Sequence, residues 1–220
     1  IRAHRLQKAA QPRNRRLIAI RQWRQQPPAV FEQRREARTR PGIFGPGKRA
    51  ELPALIASFG SRLLLVTGKS GRGAEGLQTV LHLRVEGEPT FDLIRGQLNA
   101  ARAARCDVVV AMGGGSVLDA GKALAMLVTN PGDPLDYAEV IGAGRPVVQP
   151  ALPFIAVPTT AGTGSEATRN AVLGSPAHGV KVSLRSPLML PRVALVDPEL
   201  ALGLPPALTA ATGMDALAQL

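Results

Sequence analysis

Asp215 and Gln219 stand four residues apart in "TGMDALAQL" (212–220). On a helix that spacing puts both side chains on one face, one turn apart. It is where a helix can offer two ligands to a metal. Here the second position is an amide, and a carboxamide oxygen is a poorer ligand than imidazole for iron or zinc. The pair reads as half of a metal shell, as the remnant of one, or as an ordinary helix start.

Two glycine motifs could hold a phosphate. "GRGAEG" (71–76) has the G-x-G-x-x-G spacing, but Thr67 to Ser70 separate it from the apolar run before it. The dinucleotide fingerprint wants its first glycine straight off a strand. "VVVAMGGGSVLDAGKALAML" (108–127) meets that demand. A β-branched run leads into Gly113, Gly114 and Gly115, and a helical pattern starts at once. Bare backbone lets a ligand come close, and the amides and dipole of a helix start favour a diphosphate. Ser116 is placed to cap that helix, with Asp119 three residues on, as in a capping box. "PTTAGTGSE" (158–166) follows another apolar run. Its hydroxyls, Thr159 and Thr160 among them, suit a ribose, a nicotinamide amide or phosphate oxygens at the carboxyl edge of a parallel sheet.

The elements that must position these residues follow from periodicity. "PGIFGPGK" (41–48) reads as a turn cluster. Residues 49–59 read as a helix with Leu52, Leu55, Ile56 and Phe59 on one face, and 90–105 as a second with Phe91, Ile94, Leu98 and Ala101. Strands are expected at 62–67, 79–85, 107–112 and 154–158, and two or three short ones within 168–196. A third helix is expected over 117–128, and a last one begins near Pro206, where proline is tolerated in a first turn. Strands alternating with helices predict an α/β fold: a doubly wound, mostly parallel sheet. The helix slot over 68–78 is short, because a parallel crossover needs about a dozen residues.

The composition bounds the rest. The chain has 220 residues, 45% of them hydrophobic but only 3% aromatic, so its core must be aliphatic. Cys106 is the single cysteine, which excludes an internal disulfide and fits a reducing cytoplasm. No apolar run reaches membrane-spanning length, and the arginine-rich start lacks the apolar segment of a signal peptide. The net charge of +11 is concentrated: residues 1–40 hold 12 Lys and Arg against 2 Glu. That segment is expected to be a disordered or non-native extension, since it cannot bury enough surface to order itself. The first methionine, Met112, points the same way. The rival reading is an arm that grips phosphates on nucleic acid or an acidic membrane surface. His4, His82 and His178 share no metal spacing, and Cys106 has no nearby His, so packing is its expected role.

Taken in order, "FGPGKRAELP", "EGEPT", "CDVVVAMGGGSVLDAGKALAM", "FIAVPTTAGTGSEATRNAVL", "KVSLRSPLMLPRVALVDPEL" and "LPPALTAATGMDAL" resemble the iron-containing (group III) alcohol dehydrogenases, from about Thr39 to the end. The resemblance implies an NAD(P)-binding α/β domain over 41–204, then, over 205–220, the first helix of an all-helical metal domain. It implies that Gly115 and Ser116 hold the pyrophosphate and that Thr159, Thr160, Thr168 and Lys181 line the dinucleotide; Gly114 and Asp119 are expected among the cofactor-binding residues beside them. Asp215 then matches a metal ligand for Fe2+ or Zn2+. Three departures stand out. Gln219 replaces a His, which leaves open a weaker shell or no metal at all. Gly68 stands where many relatives carry the Asp that takes the adenosine ribose, and with Lys69, Ser70 and Arg72 it leans the cofactor toward NADP. The helix after the second strand is shortened.

The function expected is metal-assisted hydride transfer between NAD(P) and a small alcohol or aldehyde. A homodimer is a candidate assembly, with no nucleic-acid or membrane partner, and no catalytic acid or base is assigned. For the 220 residues alone the expectation is weak cofactor binding and no turnover. A maleylacetate reductase-like enzyme and a non-catalytic truncated product are the alternatives.

Overall fold

The computed structural model describes residues 42–219. The expectations about the basic segment 1–40 lie outside the described residues. Six strands form one sheet in the order β1-β8-β5-β4-β2-β3, with every neighbouring pair parallel. They are β1 (Ile43–Phe44), β2 (Leu63–Gly68), β3 (Leu81–Val85), β4 (Val108–Gly113), β5 (Phe154–Pro158) and β8 (Val193–Val196). β6 (Asn170–Ser175) and β7 (Val180–Arg185) form a separate antiparallel hairpin.

The three central strands are almost wholly apolar, Thr67 being the polar exception, because both sheet faces are covered, and alternate side chains go to opposite cores. Leu64, Val66, Val109, Ala111, Phe154 and Ala156 join the core under α2 (Phe91–Ala103) and α3 (Gly115–Thr129). Leu63, Leu65, Val108, Val110, Ile155 and Val157 join the opposite core under α1 (Leu52–Phe59). The doubly wound expectation holds. So does the inward face of α2, whose Phe91, Ile94, Leu98 and Ala101 are buried behind an N-cap in which Thr90 accepts from the Leu93 amide.

Two local expectations need correcting. The turn cluster at 41–48 contains β1, which pairs Ile43 with Leu195 and Phe44 with Val196. A two-residue strand between glycines has no periodicity to read. The segment 69–80 is not a shortened helix; it carries no helix at all. It crosses as a loop whose carbonyls are tied by Arg49: the guanidinium donates to Gly73 O, and to Glu75 O at 2.6 Å. A Cβ on Gly73 would lie 2.8 Å from Leu200 and from Met112, and its φ of 83° is in the left-handed region. "GRGAEG" is therefore a packed crossover, with no helix start behind its glycines.

The chain leaves β2 for β3 on one side and resumes with β4 on the other, so the strand order reverses between β2 and β4. In open α/β sheets ligands bind beyond the carboxyl ends of strands at that point. α3 starts there. α4 (Pro206–Ala218) follows β8 and buries none of its residues; Leu208, Met214 and Leu217 are exposed. Among the described residues no helix is long and apolar enough to cross a membrane.

Two glycine substitutions test this packing in opposite directions. A Cβ on Gly96, exposed in α2, meets nothing within 4 Å, so Gly96→Ala should stabilise by about 0.5–1 kcal/mol through helix propensity. A Cβ on Gly121 in α3 would lie 2.7 Å from Ala111 Cβ and 2.8 Å from the Phe154 ring. Overpacking of about 1–3 kcal/mol then exceeds the propensity gain, and Gly121→Ala should lower the melting temperature where Gly96→Ala raises it.

Candidate functional site

Three glycines let α3 begin immediately after β4. A Cβ on Gly113 would lie 2.6 Å from Val117 Cβ, so only glycine lets the first helical turn fold back there. Gly114 is the N-cap, in extended conformation, and no side chain caps the helix. This corrects the expected capping box. Ser116 lies inside the first turn, and Asp119 turns to another task. The first-turn amides therefore have no side-chain partner of their own, the condition in which a helix start takes an anion.

A cavity of about 280 Å³ lies at this helix start. Gly115, Ser116 and Asp119 line it from α3, Thr163, Ser165 and Thr168 from the loop after β5, and Asn170, Val172 and Lys181 from the hairpin, with Glu88 and Pro89 at its edge. Of the expected site residues, Gly115, Ser116, Asp119, Thr168 and Lys181 come together here. Gly114, Thr159 and Thr160 lie beside it rather than in it. The Thr159 amide donates to Gly113 O at 3.0 Å, and a Cβ on Gly114 would lie 3.3 Å from Thr160 Oγ1. Gly68 ends β2 on the other side of the helix start, where a Cβ would lie 3.7 Å from Val117. The set thus spans the carboxyl ends of β2, β4 and β5. Lys181 is exposed and pairs with Glu88 at 2.7 Å.

The residue that sequence reasoning missed is Lys122. It is 1% exposed, amid fully buried Ala and Leu side chains of α3. Its ammonium donates to Ser165 O at 2.8 Å and to Thr168 Oγ1 at 3.0 Å, and lies 3.2 Å from Asp119 Oδ1. Asp119 in turn accepts from Ser165 Oγ at 2.6 Å and from the Val172 amide at 3.0 Å. Burial pushes the Lys122 pKa down, and the Asp119 carboxylate works against that. The available signal was a lone cation inside "DAGKALAML", where every other inward position is apolar.

Asp215 and Gln219 both meet the loop after β5. The Gln219 amide donates to Gly162 O at 2.6 Å. A Cβ on Gly162 would lie 2.6 Å from Asp215 Oδ2 and 2.7 Å from Thr212 O, and its φ is 86°. Glycine is required for α4 to come this close. The two oxygen-bearing side chains do not close a metal shell. Among the described residues no three His, Cys, Asp or Glu side chains gather as a metal site. His82 Nε2 lies 2.8 Å from Thr67 Oγ1, and His178 Nδ1 lies 2.8 Å from Ser175 Oγ. Cys106 is buried and is part of the core, as expected.

Asp119→Asn tests the buried pair. It leaves the Lys122 ammonium without its counter-charge, a loss of about 3 kcal/mol. The folded pKa of Lys122 is already below its ordinary 10.5. The unfolded chain therefore holds more protons in that window, and folding gains stability as pH rises toward the ordinary value. The variant should show this rise more strongly than the parent, read as melting temperature at about pH 7 and about pH 10.

The iron-containing alcohol dehydrogenase family profile matches residues 40–198. The chain is 41% identical over 166 residues to 4-hydroxybutyrate dehydrogenase of Cupriavidus necator, covering 76% of this chain and 43% of that protein. It is 41% identical over 195 residues to 1,3-propanediol dehydrogenase of Citrobacter freundii, covering 80% and 48%. Among solved structures, sulfoacetaldehyde reductase from Bifidobacterium kashiwanohense in complex with NAD+ superposes with a TM-score of 0.72 at 34% identity, over 81% of this chain and 50% of that one. The chain spans about half the length of the curated relatives it matches. With a family match over most of its residues and a sheet, helix start and cavity to go with it, the chain belongs to the iron-containing alcohol dehydrogenase family.

Proposed function

We propose that this chain is the cofactor-binding part of an NAD(P)-dependent alcohol dehydrogenase or aldehyde reductase. The observation that carries the reading is the uncapped start of α3, opening on a polar cavity at the carboxyl edge of a parallel sheet. The Gly114, Gly115 and Ser116 backbone takes the pyrophosphate. Thr168 and Lys181 contact the dinucleotide across the cavity. Thr159 and Thr160, at the end of β5, take the nicotinamide side, and Gly68 lies at the adenosine ribose. Lys181 would exchange its Glu88 partner for a cofactor oxygen.

The name of one solved neighbour includes NAD+, and one relative is named NAD-dependent methanol dehydrogenase. Against NAD alone stands the end of β2, where Gly68 supplies no carboxylate for the ribose hydroxyls. Lys69 and Ser70 follow it with positive charge and a hydroxyl for a 2′-phosphate. Arg72 is engaged with Gly203 O at 3.2 Å, so that charge falls mainly to Lys69. NADP is the favoured cofactor on this argument.

The reaction is hydride transfer between the carbinol carbon of a small alcohol and the nicotinamide ring. The relatives are named for 4-hydroxybutyrate and 1,3-propanediol, both primary alcohols, and a primary alcohol or its aldehyde is the substrate class proposed. A divalent metal, iron or zinc, belongs to this reading only as a property of the whole protein. Asp215 contributes one carboxylate, Gln219 at most an amide oxygen, and no step is assigned through them. The single buried Cys106 suits a reducing cytoplasm, and a homodimer is the assembly proposed.

Titration of the chain with NADPH and NADH, followed by nicotinamide fluorescence, tests the cofactor site. Saturable binding is expected, tighter for NADPH. Gly115→Val should weaken both by at least about tenfold with circular dichroism unchanged, since the side chain would fill the helix start against Thr163. Binding indifferent to that substitution would overturn the site. Equal affinity for the two cofactors would overturn only the NADP preference.

A further inference from the structure

We propose that Lys122 is a positioning residue for the cavity: its ammonium holds the 163–172 segment on α3 and fixes the Thr168 hydroxyl as a donor toward the ligand. Among the described residues, the charge meets only Asp119 within α3, 3.2 Å away. Both hydrogen bonds of the ammonium go to that segment, at Ser165 O and Thr168 Oγ1. The carboxylate beside it, Asp119, grips the same segment at Ser165 Oγ and at the Val172 amide. One ion pair on one helical turn thus holds both ends of the wall that carries Ser165, Thr168 and Asn170 into the cavity.

The polarity follows from donor counting. An ammonium has three donors and no acceptor, so Thr168 Oγ1 must accept from it. The hydroxyl is left with its single hydrogen to give. In this structure Thr168 Oγ1 lies 3.2 Å from Ser165 O. That carbonyl already accepts from Lys122 at the shorter 2.8 Å through a charge-assisted bond. The hydroxyl hydrogen is therefore the easier one to redirect, and a ligand oxygen in the cavity can take it. A neutral side chain in place of Lys122 would free Thr168 to accept as readily as donate, and would release the wall.

The ligand's identity rests on the dinucleotide reading; the hold on the wall does not. The test uses the 220-residue chain with Lys122→Met, Thr168→Val and both together. Two quantities are read: amide hydrogen exchange over 163–172 against β4, and NADPH or NADH affinity. Lys122→Met should speed exchange in the segment by about tenfold and leave β4 unchanged. Each single substitution should weaken cofactor binding by about tenfold, and the pair by about twentyfold rather than a hundredfold, because both act at one contact. Unchanged or uniformly faster exchange overturns the proposal, as do fully multiplicative losses. If the parent chain binds neither cofactor, the dinucleotide reading falls, and selective loosening of the segment alone upholds the positioning role. Should Lys122→Met not fold, the charge-neutral pair Asp119→Asn with Lys122→Met carries the exchange measurement.

Discussion

The structure depends on how closely α3 lies against the sheet. Gly113 admits the first turn directly off β4, and Gly121 lets the helix axis settle onto Ala111 and Phe154. That approach buries the apolar side of the helix along most of its length, and area removed from water is the main stabilising term available to a core almost without aromatic rings. It also fixes where the helix starts. A longer connection with a side-chain cap would move the first-turn amides off the strand ends. With no cap, the amides are left for a ligand, and the site is a consequence of the packing.

The same closeness creates an electrostatic problem, which a polar seam solves. A lysine inside a helix this deeply buried pays heavily for desolvation, and a salt bridge alone seldom repays that. Lys122 is satisfied because Asp119 stands one turn away and the loop after β5 supplies a carbonyl and a hydroxyl. The seam joins helix, loop and hairpin into one wall. On the far side of that loop, Gly162 lets α4 come within contact of the backbone, bringing Asp215 and Gln219 to the same edge. The cofactor candidates and the Asp215–Gln219 pair thus meet on one glycine- and threonine-rich segment.

Much of this was legible in the chain. The buried strands declared themselves as runs of Val, Leu and Ile, because a strand covered on both faces needs no polar residue. α2 and α3 declared themselves by their spacing, and the phosphate-binding candidate by glycines between a strand and a helix. What was not legible had no local signature. β1 is two residues long and exists only because β8 offers an edge. The crossover at 69–80 carries no helix; its turns make their own short-range hydrogen bonds, and the Gly73 and Glu75 carbonyls are taken by Arg49, distant in sequence. Ser116 looked like a cap by residue type, yet Gly114 holds that position, since the glycines let the helix begin two residues earlier.

The sequence by itself determined the layered α/β architecture, the family, and the set of residues that could meet a dinucleotide. The architecture follows from periodicity and local turn chemistry, which act between neighbours in the chain; the family, and Thr168, Lys181 and Gly68 as cofactor candidates, come from the resemblance that the ordered motifs carry. The tertiary structure alone decided that Gly115, Ser116, Asp119, Thr168 and Lys181 share a cavity while Thr159, Thr160 and Gly68 flank it. It alone gave Lys122 a role. The physical reason is range. A buried ammonium must find acceptors wherever packing places them, and Ser165 and Thr168 reach it only after β5, the loop and the hairpin have closed over α3.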